Sequence, residues 1–298
     1  MSVDEEEQSV IETIVVPLDG SPLAEEALPT ARAIAGRTGK PLRLVRVIAP
    51  SAPAAARDEA ESYLKTTAEQ VGGAETAVWL GDPAEQIIDG LSKLPDAVVV
   101  MTTHGRTGIG RWLFGSVADR VAHSGVAPML LIRSGNKAPT ILRQIMVPLD
   151  GSALSETSLP MAEELAHDFA AKLQLVRVVE TTSLYGMFGA DYGAIAAAPE
   201  ALQQLLDEMD ADAHSYLDGV AAKLKERGLT ADTTVMEGLS ADQLLAFGRQ
   251  QRADLIVMAT RGRAGVSRLV LGSVAEQMLR LGDRPLLLVP PQAPEPAE

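Results

Sequence analysis

The chain has no cysteine among its 298 residues. That excludes disulfides, thiolate metal sites and a cysteine nucleophile, and it fits a reducing cytoplasmic setting. Aromatic residues make up only 3%, so any core must be built from Val, Leu, Ile and Ala. Basic residues are outnumbered, 26 Lys and Arg against 40 Asp and Glu, for a net charge of −14. A binder of nucleic-acid phosphates needs a basic footprint, so nucleic acid is not an expected partner. No apolar run approaches the roughly 18–20 residues of a membrane span, and the acidic, polar residues 1–9 are no secretory signal, so no membrane partner is expected either. The four histidines, His104, His123, His167 and His214, lack metal-ligand spacing. Nucleophile-elbow, lysine-bearing phosphate-loop and dinucleotide-fingerprint motifs are all missing, and no catalytic residue is assigned.

What is present is ordinary globular sequence, 46% hydrophobic and 22% charged, of a length expected to form two domains. Residues 1–10 read as an acidic lead. Thr13 to Pro17 is a β-branched run ending in Leu18-Asp19-Gly20-Ser21, a buried strand and its turn. Ser21-Pro22 opens a helix that runs toward Gly36 and is expected to kink at Pro29. Further strands are expected near Leu42–Ile48, Thr76–Leu80, Ala97–Met101 and Pro128–Ile132, with helical patterns between them. Strands alternating with helices imply a parallel, doubly wound sheet covered on both faces.

The pattern then restarts. Ile145 to Ser152 repeats Ile14 to Ser21, and Leu173 to Val178 repeats Leu42 to Val47, each 131 positions on. Gly262 repeats Gly105 at 157 positions, so about 26 residues are inserted in the second copy, within 180–206. The expected division is 1–138 and 139–298, with a Pro-rich, disordered tail over 291–298.

In each copy the fourth strand leads into a glycine-bearing loop that ends at a helix. One loop runs from His104 to Gly115-Ser116, the other from Arg261 to Gly272-Ser273. The first holds Arg106 and Arg111, the second Arg261, Arg263 and Arg268, and neither holds an acid. Strand, glycine loop and helix N-terminus is an arrangement that cradles an anion with backbone N–H groups. The alternative is a loop whose glycines end a strand and whose arginines are solvated. Ser116 and Ser273 read equally as phosphate ligands or as helix caps, with Asp119 and Glu276 three residues on. Asp19 and Asp150 lie just past the first strands, where open α/β sheets bind ligands. They read as acceptors for an amino or ribose hydroxyl group, as a Mg²⁺ position, or as turn and cap residues.

The spacings Gly105-x9-Gly115-Ser116 and Gly262-x9-Gly272-Ser273 resemble the ATP-binding motif Gly-x2-Gly-x9-Gly-(Ser/Thr) of the universal stress protein family, in its tandem two-domain form. Thr102 and Ala259 replace the motif's first glycine. The resemblance implies two copies of a Rossmann-like, adenine nucleotide alpha hydrolase-like domain, each a five-stranded parallel sheet with helices on both faces. It implies ATP, with Mg possible, as the ligand. Adenine would lie against Asp19 and Asp150, beside Pro17 and Pro148, with its edge held by backbone groups of Val47 and Val178. Met101 to Gly105 and Arg106, with Met258 to Gly262 and Arg263, would line ribose and phosphates. Gly115, Ser116 and Val117, with Gly272, Ser273 and Val274, would hold the phosphates. The fifth strands would pair the two domains within one chain, and a homodimer is possible. The implied role is a stress-response module coupling ATP occupancy to assembly or partner binding. A weak Mg-dependent nucleotide hydrolase and a non-binding scaffold are the alternatives. Because Thr102 adds a β-branched side chain where Ala259 adds a methyl, the second site is expected to bind more tightly.

Overall fold

A computed structural model describes residues 9–103, 115–135, 138–180, 199–260 and 271–291. Of the expected acidic lead over 1–10 and tail over 291–298, residues 1–8 and 292–298 lie outside them. The chain divides into two compact units, Met1–Ile141 and Leu142–Glu298.

In the first unit the elements are β1 (Thr13–Pro17), α1 (Pro22–Glu25), α2 (Leu28–Thr38), β2 (Leu42–Ile48), α3 (Ala54–Gln70), β3 (Glu75–Leu80), α4 (Pro83–Ser92), β4 (Ala97–Thr102), α5 (Ser116–Ser124) and β5 (Met129–Ile132). The strands pair in parallel in the order β3-β2-β1-β4-β5. β1 and β4 are central, and their runs Ile14–Val16 and Val98–Val100 are buried, as expected for strands covered on both faces. The covering helices contribute small and aliphatic side chains, such as Ala31 and Ile34 from α2, Ala60 and Leu64 from α3, and Ile87 and Leu91 from α4. With so few aromatics, the described core of this unit is aliphatic.

The helix expected from Pro22 to Gly36 is two helices rather than one kinked rod. The Ser21 hydroxyl accepts the Ala24 N–H at 3.2 Å and caps α1. Pro29 is the second residue of α2, where its missing N–H costs nothing. In a continuous helix its ring would meet the Glu25 carbonyl, and the chain breaks between the two.

The second unit repeats this with β6 (Gln144–Pro148), α6 (Ala153–Glu156), α7 (Leu159–Phe169), β7 (Lys172–Val179), α8 (Pro199–Glu226), β8 (Ala231–Glu237), α9 (Ser240–Gln250), β9 (Leu255–Ala259), α10 (Ser273–Leu281) and β10 (Leu286–Val289). Its parallel order is β8-β7-β6-β9-β10. α8 has 28 residues where α3 has 17. The end of the interval expected to hold the insertion, from 199 on, is therefore helix; residues 181–198 lie outside the described ones. Among the described residues no helix is long and apolar enough to cross a membrane.

In each unit the first strand connects to its second on one side, while the fourth strand lies on the other. The strand order reverses between β1 and β4, and between β6 and β9. A crevice at the carboxyl ends of those strands is where such sheets bind ligands.

Candidate functional site

In the first unit that crevice is a cavity of about 530 Å³, within the roughly 300–1,000 Å³ typical of small-molecule sites. It brings together Pro17 at the end of β1 and Asp19 just past it, Val47 on β2, Met101 and Thr102 on β4, and Gly115, Ser116 and Val117 at the start of α5. In the second unit a cavity of about 130 Å³ gathers the matching residues: Pro148, Asp150, Val178, Met258, Ala259, Gly272, Ser273 and Val274. The wall made by Ala49, Ala52, Ala56 and Glu59 in the first unit has no counterpart among the residues lining the second. The chain just after β7, which corresponds to Ala49 and Ala52, enters residues 181–198, and α8, which corresponds to α3, is not among the described lining of the second cavity. His104, Gly105, Arg106, Arg261, Gly262 and Arg263 lie outside the described residues.

The local chain accounts for each placement. The β1–β2 ladder closes where the Leu18 N–H donates to the Val45 carbonyl at 2.8 Å. Gly20, at φ 83°, then turns the chain away in a conformation suited to glycine. Backbone groups alternate along a strand, so the next β2 groups aimed toward β1 belong to Val47, beside Asp19. In the second unit Leu149 N–H donates to Val176 O at 2.8 Å, and Gly151 turns at φ 85°, leaving Val178 in the same relation to Asp150.

Both aspartates form the turn that was one of their expected roles: Asp19 Oδ1 accepts the Ser21 N–H and Asp150 Oδ1 the Ser152 N–H, each at 2.9 Å. Asp150 makes two further bonds. The Ser152 hydroxyl donates to it at 2.6 Å, and the Ser155 hydroxyl accepts the Asp150 N–H at 3.3 Å. Desolvation pushes the Asp150 carboxyl up, but hydrogen bonds from the Ser152 side chain and backbone and from Ser155 outweigh it and leave it below its usual value.

At the helix starts the capping alternative is corrected. The N-cap of α5 is Gly115 and that of α10 is Gly272, with no side-chain capping bond at either. Ser116 and Ser273 are the first helical residues. Asp119 and Glu276 are the fourth, their N–H groups bonded to Gly115 O and Gly272 O at 2.8 Å. Gly115 has φ −63°, ψ 134° and Gly272 φ −63°, ψ 153°, ordinary extended backbone open to any residue. Glycine here supplies no needed flexibility; it leaves the helix mouth without a side chain. The first-turn N–H groups and the positive end of the helix therefore face the crevice. In the first unit Gly115 N–H also donates to Thr103 O at 2.7 Å, tying the helix start to the end of β4.

Sequence reasoning missed some of the lining. Arg46 and Glu59 border the first cavity, and Ser152 and Ser155 the second. Thr103 and Thr260, which fall within the stretches expected to line ribose and phosphates, are buried just past β4 and β9 and complete the floors. The only signal for Arg46, Ser152 and their neighbours in the lining was adjacency to residues already singled out. Among the described residues no group of three His, Asp or Glu side chains is placed to hold a metal ion.

Comparison with known proteins bears on the whole chain. The Universal stress protein family matches residues 11–133 and again 142–290. Universal stress protein MJ0531 of Methanocaldococcus jannaschii is 31% identical over 159 residues, 53% of this chain and 86% of that protein. Universal stress protein Rv2623 of Mycobacterium tuberculosis is 25% identical over 300 residues, covering 92% of this chain and 95% of its own. The crystal structure of a universal stress protein from Archaeoglobus fulgidus aligns with a TM-score of 0.71 at 20% identity, over 95% of this chain and 99% of that one; at that identity it supports the fold.

Proposed function

Because the chain belongs to the universal stress protein family, we propose that each of its two units is a binding site for an adenine nucleotide, ATP above all, and that the protein is a nucleotide-responsive binding module. The observation that carries this is the pair of glycine-capped helix N-termini opening onto a crevice that also holds a carboxylate. The helix mouths suit phosphates. The aspartates accept from an amino group or a ribose hydroxyl, and the Val47 and Val178 backbones suit a base edge. Mg²⁺ would arrive with the nucleotide. Binding is favoured over turnover because a carboxyl held below its usual range, as at Asp150, is a poor proton acceptor at neutral pH.

Occupancy would then be read out through assembly or a partner in the cytoplasm, the terminal strands Met129–Ile132 and Leu286–Val289 being the edges proposed for pairing. Mass spectrometry of small molecules released from the purified protein tests the ligand. ATP or a related adenine nucleotide is the expected product, with a thermal shift on adding ATP. A protein that releases no nucleotide and shows no shift with millimolar ATP is a scaffold instead.

A further inference from the structure

Both units carry a second cluster, each drawn from three separate elements, and in the second unit it packs against the aspartate turn. In the first, the Tyr63 hydroxyl on α3 donates to Glu25 on α1 at 2.8 Å. The Arg46 guanidinium from β2 lies over the Tyr63 ring, 5.1 Å from its centre, and 3.8 Å from Glu59. In the second, Tyr216 on α8 donates to Glu156 on α6 at 2.9 Å, Arg177 from β7 lies 5.3 Å from the Tyr216 ring centre, and Asp212 is 3.2 Å from Arg177. The two arginine side chains are only 11% and 20% exposed, so neither is a loose surface cation. A Cβ on Gly151 would meet three guanidinium atoms of Arg177 at 3.4 Å. The guanidinium is therefore packed between the glycine of the Asp150 turn and the tyrosine ring.

This placement has a mechanical meaning. In the second unit the turn bearing the aspartate rests on the flat face of Arg177, which is held by a ring whose hydroxyl is anchored to the short helix leaving the same turn. A planar cation suits such a slot where an ammonium does not. The helix that carries the tyrosine also supplies Ala56 and Glu59 to the first cavity. Burial, and after it the bond to Glu156, push the Tyr216 hydroxyl pKa up, with a smaller contribution from the charge of Asp150. We infer that Arg46, Tyr63 and Glu25, and likewise Arg177, Tyr216 and Glu156, are positioning residues that fix the angle of the aspartate turn and pass ligand binding on to the tyrosine-bearing helix. Only the second half rests on the nucleotide reading.

The test uses the full-length protein with Tyr216→Phe, which keeps the ring and removes the anchor, and Arg177→Lys, which keeps the charge and removes the plane. Without nucleotide, amide exchange at Ser152 is expected to quicken at least about threefold in both variants, with β6 and β9 unchanged. Exchange equal to the parent overturns the positioning role, whatever the protein binds. With ATP, calorimetry in an Asp19→Ala background reads the second site alone. Arg177→Lys is expected to weaken it roughly three- to tenfold. ATP-induced exchange protection of α8, expected in the parent, is expected to vanish in Tyr216→Phe. Protection retained in that variant overturns the link to the helix. A parent protein that binds no ATP sinks the nucleotide reading, and the nucleotide-free arm still decides the positioning role.

Discussion

Asp19 and Asp150 occupy equivalent turns, and because Ala24 in one copy is Ser155 in the other, the hydroxyl that accepts the Asp150 N–H has no counterpart beside Asp19. The Asp150 carboxyl is stabilised as the anion, so its folded pKa lies below its unfolded one. Its contribution to stability is present above the unfolded value of about 3.9 and is lost as pH falls through the lower folded value. Asp150→Asn is therefore expected to cost about 0.5–1 kcal/mol near pH 7, a modest figure for an exposed group. Urea unfolding of the two proteins should show that gap shrinking below about pH 4. Thr102 and Ala259 are the other informative pair. Thr102 is buried at the end of β4, yet the cavity it borders is the larger of the two, so its side chain does not close the site. Its effect is better tested by exchange: Thr102→Ala is expected to tighten ATP binding at the first site a few-fold, and Ala259→Thr to weaken the second by a similar factor, of order 1 kcal/mol each. Calorimetry on site-isolated variants reads both, and no change in either would remove the basis for ranking the two sites.

The two copies also differ in how individual elements end. α2 stops at Gly39 with φ 70°, whereas α7 stops at Ala170 with φ 50°. A left-handed alanine is strained by about 1–2 kcal/mol, partly offset by the entropy that glycine loses on folding. Ala170→Gly is expected to stabilise the second unit by about 0.5–1 kcal/mol, seen as a higher thermal midpoint. At the other end of an element, Gly272→Asp would supply a side-chain cap for α10 and stabilise the nucleotide-free protein by a few tenths of a kcal/mol, about 0.3. It would also place a carboxylate where a phosphate is proposed to sit, so the same variant should lose ATP binding at that site. A variant that gains stability and still binds would show the helix mouth is not the phosphate position. Why the sequence misled on the caps is a matter of one residue. Ser-x-x-acid fits a serine N-cap with its acid at the third position, and equally a serine at the first position with the acid at the fourth. The break at Pro29 was readable as a kink because proline acts locally; its resolution into two helices depended on where Ser21 and Pro29 fell in the turn.

For the whole molecule, two sites predict two ATP per chain, one in Asp19→Ala or Asp150→Ala and none in the double variant, by calorimetry. The order of elements and the grouping of strand-end residues in a crevice were legible because periodicity and turn chemistry are local, and the repeat supplied a second reading of each. The Arg46–Tyr63–Glu25 cluster was not legible, since its members stand on three elements and meet only in the folded unit. Its trace is that Arg177 and Glu156 follow their counterparts by 131 positions and Tyr216 by 153, a pattern without meaning until the elements are in place. The bare glycine at each helix mouth has one more consequence. A helix finished by its own side chain is equally durable in every condition, whereas one finished by a bound anion lasts in proportion to the supply of that anion. Ligand at one hundred times its dissociation constant adds about 2.7 kcal/mol to folding, enough to change steady-state abundance several-fold where proteases sample the unfolded chain. The lifetime of this protein would then be a record of the nucleotide level around it.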